Sequence, residues 1–165
     1  METLQGILSA HPFFHDLPAQ HMETVVGCVS NVRFKAGDVI FNEGEEANHF
    51  YLIREGKVAL RIHSERRGPL TILTLGAGDI LGWSWLFPPY RWKFSARAIE
   101  DTRAFAADGK CLREKAERDH ALGYELLKRL AHVVEERLEA TRLQLLNVHE
   151  DQWVIKTQSF CKSVT

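Results

Sequence analysis

A chain of 165 residues with 45% apolar and 26% charged side chains makes one globular domain plus a modest appendage, able to bury about two-thirds of its unfolded surface. Its formal net charge of -1 lacks the basic balance that a polyanion partner calls for, which weighs against nucleic-acid binding. Three widely spaced cysteines with no Cys-x-x-Cys pair indicate neither a disulfide framework nor a zinc knuckle, and no apolar run approaches the roughly 20 residues that span a bilayer.

Cys28, Cys111 and Cys161 therefore read as reduced, small apolar fillers, which fits a cytoplasmic protein. The N-terminal residues show no basic region followed by an apolar stretch, so no leader is expected.

In chain order, Leu4, Ile7 and Leu8 predict a short helix that stops at His11-Pro12, because proline disfavours helix before and at itself. A second helix is expected from about residue 18 to 29, with Pro18 in its first turn and Met22, Val25, Val26 and Val29 on one face. At Val32 and Phe34 the period changes to alternation. Strands are then expected at Val58-Leu60-Ile62, Leu70-Ile72-Leu73-Leu75, Phe94-Ala96-Ala98 and Arg103-Phe105. Gly37, Gly44, Gly56, Gly68 and the Gly76-Ala77-Gly78 corner supply the turns, and such spacing argues for a sandwich or barrel.

The helical period returns near Asp108, a plausible cap for a short helix over residues 110–118. Asp119 caps a longer one, expected over residues 120–148. Along it Leu127, Ala131, Val134, Leu138, Thr141, Leu145 and Val148 alternate spacings of four and three, a full a/d register. A helix of that length is roughly 40 Å long, too long for one small roll to cover, so parallel pairing across a two-fold axis is expected. The chain divides into residues 1–119, 120–148 and 149–165. The last segment holds Trp153, Val154, Ile155 and Phe160 without a clear period, either docked or frayed.

The run Gly37-Asp38-Val39-Ile40-Phe41-Asn42-Glu43-Gly44, continuing to Arg54-Glu55-Gly56-Lys57-Val58, resembles the β-roll of the cyclic-nucleotide-binding domain family. Gly78-Asp79-Ile80-Leu81-Gly82 falls where that family begins its phosphate-binding cassette, and Ala96-Arg97-Ala98-Ile99-Glu100-Asp101-Thr102 is similar to the strand that follows. Leu122-Gly123-Tyr124-Glu125-Leu126-Leu127 and Thr141-Arg142-Leu143-Gln144-Leu145-Leu146 are similar to the dimerisation helix of its bacterial catabolite-activator branch. The resemblance covers about residues 10–148. It implies a mainly β fold with helices: an eight-stranded double-stranded β-helix, a jelly-roll-like β-roll, with N-terminal helices and a long C-terminal dimerisation helix.

Two departures from that branch shape the functional expectation. About 17 residues follow Val148, too few for the winged helix-turn-helix that reads DNA in those regulators, so direct DNA contact is not expected. The second departure lies in the cassette. The resemblance implies a glutamate after the cassette glycine for the ribose 2′-hydroxyl, and about ten residues on an arginine that clamps the cyclic phosphate. Here Trp83 follows Gly82, and counting back from Ala96 puts Trp92 at the arginine position, with Arg91 one residue earlier.

Gly82, Trp83, Ser84, Trp85, Arg91, Trp92 and Arg97 are thus the candidate ligand-binding residues, open to three interpretations. The tryptophans fill the cavity as core. Alternatively, Arg91, Arg97 and Ser84 hold a different anionic or planar molecule, such as an NAD(P)-type dinucleotide, against a stacking indole. In the third, Arg91 swings into the phosphate position and restores cyclic-nucleotide binding. The exposed alternative for Trp85-Leu86-Phe87-Pro88-Pro89-Tyr90 is a protein-docking patch.

Catalytic and metal chemistry find no pattern. His11 and His15 are separated by Pro12, no His-Glu-x-x-His occurs among the eight histidines, and no nucleophile elbow surrounds a serine or cysteine. The expectation is a non-catalytic regulatory or accessory subunit that dimerises and docks on a larger assembly, resembling the small subunits of some bacterial NAD(P)-linked hydrogenases. The alternative is a free-standing sensor of a cyclic or other nucleotide.

Overall fold

The computed structural model describes residues 3–161, and the side-chain surroundings of residues 3–149. Thr3 accepts a hydrogen bond from the Gly6 amide and starts α1 (Leu4–Ser9). The chain then makes a single 3-10 turn at Pro12–Phe14, capped by the His11 ring, which accepts from the Phe13 amide. Pro18 leads into α2 (Ala19–Val26), which buries His21, Met22 and Val25. The helix ends earlier than its apolar period suggests. The Cys28 amide closes onto the Val25 carbonyl, and Val29 is taken up by a sheet opposite Ala107.

From there the chain is strand and turn: β1 (Val29–Phe34), β2 (Val39–Phe41), β3 (His49–Glu55), β4 (Val58–Ser64), β5 (Gly68–Leu75), β6 (Ile80–Leu81), β7 (Ser95–Ala98) and β8 (Thr102–Asp108). They form two antiparallel sheets, ordered β1-β8-β3-β6 and β2-β7-β4-β5. This is the expected jelly-roll-like β-roll of eight strands, with helices on its N-terminal side and a long helix after it. Gly56 makes the β3–β4 hairpin with a positive φ of 96°, and a Cβ there would stand 2.7 Å from the Thr102 Cα, so only glycine fits.

Between the sheets lies a core of Phe41, Ala47, Ile53, Val58, Leu60, Leu75, Leu81, Trp92 and Ala96. A second aromatic run joins the N-terminal segment to the first sheet. Phe13 packs edge-on to Phe14 and Phe50, with centroids 4.9 and 5.8 Å away, and Phe50 stacks on Trp85 at 4.9 Å.

Asp108 caps α3 (Gly109–Arg118) by accepting from the Cys111 amide at 2.9 Å, and Asp119 caps α4 (His120–Cys161) through the amides of Ala121 and Leu122. The helix α4 continues past Val148, where the apolar register ends, to Cys161. The side chains of Trp153, Val154, Ile155 and Phe160 lie outside the described residues. The chain divides into two units, Met1–Leu127 with the roll and its helices, and Lys128–Thr165 with the remainder of α4. Among the described residues no helix is long and apolar enough to cross a membrane.

One expectation is overturned. Cys28 and Cys111 are not reduced fillers but a disulfide, with Cα atoms 5.8 Å apart across 83 residues of sequence. The strand register explains the meeting. Val29 pairs with Ala107 and the Asp108 amide donates to the Cys28 carbonyl, which sets Cys28 beside the first turn of α3. The bond also removes the cysteine usage on which the cytoplasmic expectation rests.

Candidate functional site

The segment between β6 and β7 is the cassette region, and two local features set its shape. Gly82 leaves β6 with a positive φ of 90°. At the far end, residues 90–92 are sewn to residues 44–47: Ala47 donates to the Tyr90 carbonyl, Trp92 to Glu45, and Gly44 to Trp92. Glu46 and Arg91 form an isolated bridge, so this stretch behaves as a short strand whose successive side chains alternate in direction. That alternation decides the fate of the candidates: Arg91 faces out and Trp92 faces in.

Trp92 is only 3% exposed. Its ring lies parallel to Phe41, centroids 3.7 Å apart and planes 8° from coplanar. Phe41 in turn faces Tyr51 at 6.4 Å and Phe94 at 5.9 Å. The indole also presses on Gly82, where a Cβ would come within 2.2 Å of Trp92 Cζ3. Tyr51 shares this interior, and burial pushes its phenol pKa up.

Arg91 is exposed, and its Nη1 donates to the Gly44 carbonyl at 2.9 Å, bracing the β2–β3 loop. In that loop the Asn42 side chain and then its backbone amide donate to Glu45, holding this carboxyl below the usual carboxylate range. Arg97 sits between the buried Ala96 and Ala98 and so projects from the opposite face of β7, its Nε donating to the Gly37 carbonyl at 2.8 Å. Trp83 is half-buried and Ser84 buried. Trp85 belongs to the other core: stacked on Phe50, it closes on Gly109, where a Cβ would meet Trp85 Cβ at 2.8 Å. Its carbonyl accepts from Arg113 Nη1, and the Arg113 guanidinium lies 4.1 Å over the Tyr90 ring. The candidates therefore do not converge. Gly82 and Trp92 meet inside the roll, Trp85 ties the cassette to α3, and Arg91 and Arg97 point elsewhere.

Sequence reasoning missed Phe41 as the partner of Trp92 and Tyr51 beyond it, although both sit at inward positions of alternating strands. It also missed Arg113, for which only the three-dimensional approach of α3 to the cassette gives a signal. A groove of about 370 Å³ lies where they meet, lined by Trp85, Leu86 and Tyr90 and by Arg113, Glu117 and Tyr124. Among the described residues no three His, Cys, Asp or Glu side chains are placed to hold a metal ion. His11 is engaged structurally, its Nε2 paired with the Ile53 carbonyl at 3.2 Å.

Of the a/d residues on α4, Leu127, Val134, Leu138, Leu145 and Val148 are large apolar side chains left exposed in the single chain, with Ala131 and Thr141 exposed between them.

The family description "Cyclic nucleotide-binding domain" matches residues 31–119. A solved structure from Geobacter metallireducens, named for cyclic-nucleotide binding, is 31% identical and superposes with a TM-score of 0.75, covering 83% of this chain and 99% of that one. The catabolite activator protein of Thermus thermophilus is 26% identical with a TM-score of 0.65, over 81% of this chain and 61% of that one. The CRP-like cAMP-activated global transcriptional regulator of Mycobacterium tuberculosis is 29% identical over 148 residues, 88% of this chain and 63% of that protein. An uncharacterized protein of the same organism matches over 122 residues, 23% of its length, so the chain spans less than two thirds of these curated relatives.

Proposed function

The chain belongs to the cyclic nucleotide-binding domain family, as a regulatory, sensor-type protein, and from that premise we propose that it is a non-catalytic adaptor whose nucleotide cavity is filled by its own Trp92. The observation that carries this is the buried indole stacked on Phe41 and pressed against Gly82. A ligand entering the roll would have to expel a buried tryptophan, whose loss from a core costs about 3–5 kcal/mol. It would also find indoles at residues 83 and 92 in place of a carboxylate and a guanidinium. Hydrogen bonds to charged groups contribute roughly 1.5–3 kcal/mol each, so two missing contacts weaken binding about a hundred-fold or more. Arg91 does not compensate, since its guanidinium braces Gly44.

The relatives support a cyclic nucleotide, and lend no support to a dinucleotide, as the ligand class of this fold. In the adaptor role the exposed stripe of α4 pairs two copies, and the dimer docks on a larger protein assembly. Docking on a hydrogenase rests on the resemblance alone, and the Cys28–Cys111 disulfide leaves residence in the cytoplasm without support from the cysteines. Titration calorimetry with cyclic AMP and cyclic GMP tests the central point. No heat of binding is expected at millimolar ligand, and a micromolar Kd abolished by Arg91→Ala would sink the proposal in favour of a sensor.

A further inference from the structure

On the outer face of the second sheet, the antiparallel register sets two arginines at neighbouring positions. β4 and β7 pair Ala59 with Arg97 and Arg61 with Ser95, so Arg61 and Arg97 are diagonal neighbours on one face, roughly 7–8 Å apart. Leu60 and Ala96, which alternate with them, are buried in the roll, so both arginines look away from its interior.

The surroundings do not neutralise this charge. Arg97 spends only its Nε, on the Gly37 carbonyl. Arg61 is half-buried, its Nε is fully enclosed without a hydrogen-bond partner, and its side chain forms no ion pair among the described residues. A buried polar group without a partner is rare and calls for an explanation. Both arginines line a groove of about 210 Å³ together with His63, Ser95 and Asn42, and no carboxylate is among the lining residues. Two acids adjoin the groove along the chain: the Glu45 carboxylate is engaged by Asn42, and Glu43 reaches Ser95 through its backbone amide. Ser95 Oγ accepts from the Glu43 amide at 3.0 Å, which leaves its own proton free to donate.

We propose that this groove is an anion site that takes a phosphate group. Two guanidinium forks from adjacent strands, a hydroxyl and an imidazole offer donors to three oxygens at once, more than one carboxylate presents. The volume is below the roughly 300–1,000 Å³ of pockets that enclose whole small molecules, so a phosphate enters while the rest of any ester stays outside. The site is on the opposite face of the sheet from Trp92 and does not depend on whether the roll binds a nucleotide.

The test is a 1H–15N titration of the full chain with inorganic phosphate, and separately with 5′-AMP, against sodium chloride at equal ionic strength. Saturable shifts at Arg61, His63, Ser95 and Arg97, with affinity at least ten-fold weaker in Arg61→Gln and in Arg97→Gln, are the expected result. Tighter binding of 5′-AMP identifies a phosphate ester as the ligand, and tighter binding of inorganic phosphate identifies the free ion. Shifts that do not saturate, that sodium chloride reproduces, or that persist undiminished in both variants overturn the proposal. Should Arg61→Gln lose the dispersed spectrum of a folded chain, the exposed Arg97→Gln decides alone.

Discussion

Trp92 and Gly82 depend on each other. The glycine is needed twice, for its positive φ of 90° and because the indole occupies the space of a side chain. Gly82→Ala is therefore expected to destabilise the domain by roughly 2–4 kcal/mol, combining backbone strain with overpacking. In denaturant unfolding the double variant Gly82→Ala/Trp92→Leu should lose less than the sum of its parts, because the two residues share one contact. His11 carries a different prediction. Burial holds its imidazole pKa below the ordinary range, with the Ile53 carbonyl and Asp79 pulling weakly the other way. Its Nδ1 accepts from the Phe13 amide, which only the neutral ring can do. As pH falls through about 6.5, the unfolded chain binds a proton that the folded chain refuses, so stability is present above that pH and lost below it. Thermal melts at pH 7.5 and 5.5 should differ, and the difference should shrink in His11→Gln.

Between elements, two ties hold α3 against the rest of the roll. The Cys28–Cys111 bond fixes its first turn to the start of β1, and Arg113 binds it to the cassette through the Trp85 carbonyl and the Tyr90 ring. Lys115 adds a third contact, donating to the Thr24 carbonyl of α2 at 2.8 Å. Closing an 83-residue loop constrains the unfolded chain, and disulfides of this kind contribute about 2–4 kcal/mol. Reduction with a phosphine should lower the unfolding midpoint by roughly 5–15 °C. A Cys28→Ser/Cys111→Ser variant should melt at the reduced midpoint and ignore the reductant.

For the whole molecule, the informative surface is α4. Leu127, Val134, Leu138, Leu145 and Val148, with Ala131 and Thr141 between them at alternating spacings of four and three, expose apolar area that a pairing helix would bury at about 25 cal/mol per Å². Sedimentation should report twice the chain mass of 18.9 kDa, and Leu138→Asp should return the particle to that single mass. A wild-type chain that sediments at the single mass would remove the dimer from the proposal.

Much of this architecture was legible in the residues themselves. Turn glycines such as Gly56, the alternation at Val58-Leu60-Ile62 and the caps at Asp108 and Asp119 act over a few neighbouring positions, and local chemistry of that range is written directly in the sequence. The heptad spacing on α4 is local in the same sense. What only the tertiary structure decided is long-range. Cys28 meets Cys111 because β1 pairs with β8, Trp92 turns inward because residues 90–92 pair with 44–47, and Arg61 stands beside Arg97 because β4 pairs with β7. Each depends on strand register, and a shift of one residue would reverse which side chains face the interior.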